Sequence, residues 1–117
     1  MSYMLLVIEP QGQRSTRTEE EGRDVFARMV RFSEDLERRG LLRMSQSLRS
    51  DASGARVQVR ADAPVVLDGP FAESKEMIGG FFLLTCETRE QAIEIAARCP
   101  AAQWATIEVR ELGPCFT

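Results

Sequence analysis

Histidine is absent from this 117-residue chain, and that absence excludes more chemistry than any other feature. It removes serine– or cysteine–histidine nucleophile pairs, imidazole metal sites and the usual proton shuttle near neutral pH. Lysine is nearly as scarce. Of fifteen basic residues only Lys75 is a lysine, so it is the sole amine apart from the N-terminus. Eighteen acidic residues give a formal net charge of -3, without the basic surplus a nucleic-acid partner requires. The three cysteines, Cys86, Cys99 and Cys115, are odd in number, widely spaced and free of any C-x-x-C pattern. They read as reduced thiols of a cytoplasmic protein rather than a disulfide framework. The apolar run Met4 to Ile8, with no basic residue before it, is too short for a signal peptide or a membrane span. The carboxylates form no cluster with metal-ligand spacing, so neither a metal nor a cofactor is expected.

What remains is an ordinary globular composition, 44% hydrophobic and 28% charged, in a chain long enough for one core and too short for two. A single domain over residues 1–117 is expected. Tyr3 to Glu9 reads as a strand whose middle is apolar without alternation, which suits a central position covered on both faces. Thr18 and Glu21 form a capping-box pattern opening a helix that Gly40 stops. Val25, Met29, Phe32 and Leu36 make its buried stripe, with Phe26 and Val30 widening it. Leu41 to Leu48 reads as an edge strand. Arg56–Arg60 and Val65–Leu67 form a hairpin turning through Ala61 to Pro64. Phe81 to Cys86 is a second strand apolar on both faces. Thr88 and Gln91 suggest a second capping box, opening a short helix with Ala92, Ile95, Ala96 and Cys99 inward and Pro100 at its end. Trp104 to Glu111 closes the chain as a strand.

Without its central hairpin the order is β-α-β-β-α-β, the α+β arrangement of a ferredoxin-like sandwich. Helices cover one face of such a sheet, yet both central strands are apolar on both faces. The other face therefore wants an apolar cover. A homodimer packed sheet to sheet supplies it economically; the alternative is a hairpin folded over the face within one chain.

The stretch Asp68-Gly69-Pro70-Phe71-Ala72-Glu73-Ser74-Lys75-Glu76, with Gly79-Gly80 beyond it, concentrates the candidates for chemistry. Asp68 can close an Asx-turn, Gly69 takes backbone conformations other residues resist, Pro70 locks the exit and Phe71 plugs the core. Glu73, Lys75 and Glu76 are not explained by a corner. Spacing alone favours an exposed polar turn. The functional reading makes them the rim of a pocket, with Asp68, Glu73 and Glu76 as acid–base candidates and Lys75 and Phe71 as ligand contacts. Without a histidine neighbour the cysteines are weak nucleophiles, and Cys86 and Cys99 read as core packing.

Taken together these residues resemble the DGPF-domain branch of the YCII-related family over nearly the whole chain. The resemblance rests on Met4 to Ile8, on Asp68 to Glu76 with Ser74 where threonine is more usual, on Gly79 to Leu84, on Ala96 to Ala101, and on Ile107 to Arg110. It implies a ferredoxin-like subunit in a dimeric α/β barrel. Some relatives act on small aromatic or lactone-like compounds, with a histidine–aspartate pair proposed as their active site. This chain has no histidine to complete that pair. The resemblance also implies a genetic association with sigma factors of the extracytoplasmic-function type.

Three functions follow in order of preference. The first is a dimeric, regulatory small-molecule binder taking an anionic or aromatic ligand between the sheet and the Asp68 loop. The second is a lyase or isomerase with a carboxylate among Asp68, Glu73 and Glu76 as proton carrier. The third is a purely structural or partner-binding role.

Overall fold

A computed structural model describes residues 2–117. Strand β1 (Tyr3–Pro10) leads through a 3-10 turn, Gln13–Thr16, into helix α1 (Glu19–Arg38). Strand β2 (Leu42–Ser47), the hairpin β3 (Ala55–Arg60) and β4 (Ala63–Asp68), and strand β5 (Glu76–Leu84) follow. Helix α2 (Arg89–Arg98), a 3-10 turn at Pro100–Gln103 (the third, after one at Asp51–Ser53) and strand β6 (Thr106–Glu111) complete the chain. The main sheet is ordered β2-β5-β1-β6 with antiparallel pairing throughout. It is an α+β fold compatible with a ferredoxin-like sandwich. No helix among the described residues is long and apolar enough to cross a membrane.

The two expected central strands are central. Along β1, Tyr3, Leu5, Val7 and Glu9 are buried, while Met4, Leu6 and Ile8 between them are half-buried. The first set faces the helices and joins Leu36, Phe82, Leu84, Ile95 and Cys99 in the core. The second set faces away, beside Phe81 and Leu83 of β5, and no helix crosses it.

Helix α1 begins as its sequence requires. Thr18 Oγ1 accepts from the Glu21 amide and Glu21 Oε1 accepts from the Thr18 amide, closing the capping box. These bonds, the backbone one first, hold the Glu21 carboxyl below its ordinary value. The second box is only half made. Thr88 caps the Gln91 amide, but the Gln91 side chain accepts from Glu87 rather than from Thr88.

Other boundaries moved. Gly79 and Gly80 lie inside β5, which begins at Glu76 rather than Phe81. Trp104 ends a 3-10 turn instead of starting β6, because Pro100 sits at the start of that turn, where its missing N–H costs nothing. The hairpin does not fold over the open sheet face. All twelve residues of its strands are exposed. The radius of gyration, 16.0 Å, exceeds the about 13 Å typical of a compact chain of this length.

The hairpin turn has two residues, Ala61 and Asp62, with φ of 51° and 62°. Both are left-handed, the pair of conformations that suits strand twist. Alanine is ill-suited there, since its Cβ crowds the backbone, whereas asparagine tolerates the conformation. Ala61→Asn is expected to stabilise the hairpin by about 0.7 kcal/mol. The cross-strand amides of β3 and β4 should then exchange with solvent roughly threefold more slowly. Unchanged exchange would show that the turn relaxes.

Candidate functional site

The Asp68–Phe71 corner is built differently from the expectation. Gly69 does not adopt a left-handed conformation. Its constraint is proximity, since a Cβ there would overlap the Asp51 carbonyl oxygen. The Asx-like role belongs to Asp51 rather than Asp68. Asp51 Oδ2 accepts from the Phe71 amide at 3.2 Å and from Gln11 Nε2 at 2.6 Å. Asp68 closes the hairpin opposite Ala55, with its side chain exposed. Phe71 is half-buried outside the main core, and the Arg56 guanidinium lies 4.0 Å from its ring centroid.

Of the remaining sequence candidates, Glu73, Lys75 and Glu76 are all exposed. Glu76 joins Phe71, Asp51 and Ile78 along a shallow groove of about 570 Å³ at the root of the hairpin. Asp68, Glu73 and Lys75 do not line it. The cysteines behave as packing. Cys86 and Cys99 are buried, and burial pushes both thiols up, away from the reactive thiolate.

A larger cleft, about 1150 Å³, opens on the opposite side of the sheet, along the length of α1. Its origin is the mismatch between a bulky helix face and a floor of small residues. Farther along α1, Phe32 meets Phe82 edge-on at 5.3 Å and Leu36 is fully buried. Around these contacts the sheet lining the cleft offers Gly79, Gly80, Ser45 and Ser47. Gly80 cannot be larger, because a Cβ would fall 2.8 Å from the Gln46 carbonyl oxygen. Helix and sheet therefore stay apart. Phe26 and Val30, expected in the buried stripe, are 57% and 39% exposed and line the cleft instead.

Two further features of the cleft were not anticipated as functional. Glu9 is buried on its floor, with Arg14 Nε 2.6 Å from Oε1. Arg14 also donates to the Leu48 carbonyl at 2.9 Å and reaches the Gly79 carbonyl at 3.4 Å. Trp104 forms an end wall, with the Arg28 and Arg17 guanidiniums 5.0 and 5.8 Å from its ring centroid. Glu9 was legible in one respect. It continues the alternate positions Tyr3, Leu5 and Val7, and so shares their face. Arg14 carries no comparable signal among fourteen arginines.

Among curated proteins, the chain is similar to an uncharacterized protein of Rhizobium meliloti (strain 1021). The two are 29% identical over 115 residues, covering 97% of this chain and 93% of the relative. The model of the YCII-related domain matches residues 1–115. A match of that extent takes in every strand and both helices, and the chain belongs to the YCII-related family.

Proposed function

We propose that the protein is a cytoplasmic homodimer of the DGPF branch that binds a small, largely aromatic molecule beneath α1. The cleft carries this reading. Its volume of about 1150 Å³ matches or exceeds that of ordinary small-molecule sites. Phe26, Val30 and Met29 supply an apolar wall, while Trp104, Arg14 and Glu9 supply the polar end. The site thus lies across the sheet from the open face assigned to the dimer. Dimerisation as a sheet-to-sheet barrel leaves it accessible.

A second reading draws support from the groove holding Glu76 and Phe71. It is a lyase or isomerase with Asp68, Glu73 or Glu76 as proton carrier and Lys75 holding an anionic substrate.

A thermal-shift screen of small aromatic compounds, followed by amide chemical-shift mapping, separates the two. Stabilising compounds are expected, because a ligand that prefers the native state raises its stability. Their shifts should centre on Phe26, Gly80 and Trp104. Shifts centred on Phe71 and Glu76, with turnover lost in Glu73→Gln or Glu76→Gln, would favour the second reading. A screen without hits at millimolar concentration would remove the first.

A further inference from the structure

Glu9 is the charged residue buried with the core, 8% exposed, and one of its oxygens is left over. Oε1 is paired with Arg14 Nε at 2.6 Å. Oε2 receives no hydrogen bond from any described side chain or backbone group, yet its residue lines the cleft. Gly79 makes room for that oxygen, since a Cβ at this position would collide with it. Each nitrogen of Arg14 already points at a protein oxygen, in Glu9, Leu48 or Gly79. The arginine thus fixes the carboxylate, with one N–H on each terminal nitrogen left toward the cleft.

The other polar groups nearby are largely engaged. Ser33 and Ser45 share a hydrogen bond at 3.0 Å. Arg23 pairs with Glu19 at 2.7 Å, and Arg17 donates to Gln13 at 3.3 Å beside Trp104. The unspent capacity on the cleft floor includes an acceptor, Glu9 Oε2, open to the cleft and held in place by Arg14.

We infer that Glu9 Oε2 orients the ligand, and that the ligand is an aromatic molecule carrying a hydrogen-bond donor, a phenol-like hydroxyl or an amine. This rests on the cleft being the binding site and narrows its chemistry. Arg14 is a positioning residue that holds Glu9. A charge-assisted bond to a buried carboxylate is stronger than a neutral one. A ligand lacking the donor leaves that acceptor unsatisfied, and a carboxylate ligand brings no donor to it.

The test titrates 4-propylphenol, its methyl ether and 4-propylbenzoate by calorimetry, with the single tryptophan, Trp104, as a fluorescent reporter. The phenol is expected to bind at least about tenfold more tightly than either analogue. In Glu9→Gln the phenol should weaken by roughly tenfold while the ether is unchanged. The comparison within the native protein stands even if that variant folds poorly. Equal binding of all three probes with a Trp104 response would overturn the role of Glu9 and leave the cleft reading intact. So would tightest binding by the benzoate, a phenol preference that survives Glu9→Gln, or a uniform loss of all three probes in that variant. No binding and no Trp104 response at millimolar concentration would overturn both.

Discussion

Arg14→Ala is expected to destabilise the fold by about 2–3 kcal/mol, because it strands a carboxylate that the fold has already buried. The Glu9 side chain is only 10% exposed, and its partner guanidinium sits 2.6 Å away. Removing one member of a buried pair costs about 3–5 kcal/mol, since the remaining charge keeps its desolvation penalty without its attraction. The lower figure applies here. Arg14 is one-third exposed, so water entering from the cleft restores part of the solvation. The variant also loses the hydrogen bond to the Leu48 carbonyl, which ties the exit of β2 to the turn after β1. With a urea slope of about 1.5 kcal/mol per molar, the unfolding midpoint should fall by roughly 1.3–2 M. The double variant Glu9→Gln/Arg14→Ala should recover at least half of that loss, because no buried charge is left alone. A midpoint within about 0.3 M of the parent for Arg14→Ala would show that the pair is solvated and contributes little.

The same pair shows where sequence reasoning stopped. Order, type and sheet position of the main elements were legible because each left a local mark. These were the runs Met4–Ile8 and Phe81–Leu84, the Thr18 capping box, and Gly40 at the helix stop, where φ is +70°. Long-range placement left weaker marks. Asp51 and Gly69 lie eighteen positions apart and touch only because the whole hairpin intervenes. The grip of Asp51 on the Phe71 amide leaves no local mark in the sequence. The period of α1 implies one buried stripe, but periodicity reports which face turns inward, not whether anything meets it. The cleft it lines is floored by Gly79, Gly80, Ser45 and Ser47, on strands remote in sequence. The motif drew attention to Glu73, Lys75 and Glu76 by crowding. The carboxylate that is buried stands alone at the end of an apolar strand. Crowded charges are cheap at a surface, whereas a single charge within a core needs a dedicated partner. Parity along β1 was the signal that could have found it.

The largest effect is expected on the opposite side of the sheet. Leu6→Glu should convert the proposed dimer to a monomer of 13.1 kDa. Leu6 pairs with Phe81 on β5, near the middle of an apolar surface that also takes in Met4, Ile8 and Leu83. Met44 and Ile78, 51% and 49% exposed, extend it toward the β2 edge and the hairpin root. Glu108 and Arg110, paired at 3.2 Å, border it on β6. That is the layout of an interface, an apolar centre with a charged rim. The occupant we commit to is a second copy. One surface meeting itself about a twofold axis needs no other partner, and the helices already cover the opposite face. The substitution brings two new carboxylates, one from each copy, close to such an axis, and each loses its water on association. A penalty of about 2 kcal/mol per copy is a conservative figure for an unpaired buried charge. The two together weaken association by roughly a thousandfold. In the isolated subunit the new carboxylate stays hydrated on an open face, and its place opposite Glu108 costs only about 0.5 kcal/mol. Sedimentation equilibrium at micromolar concentration should therefore give twice the chain mass for the parent and the chain mass for Leu6→Glu, with the helical circular dichroism unchanged. A parent that sediments as a monomer removes the dimer. A variant that remains dimeric moves the interface elsewhere, with the apolar hairpin residues Val57, Val59 and Val66 the next surface to substitute.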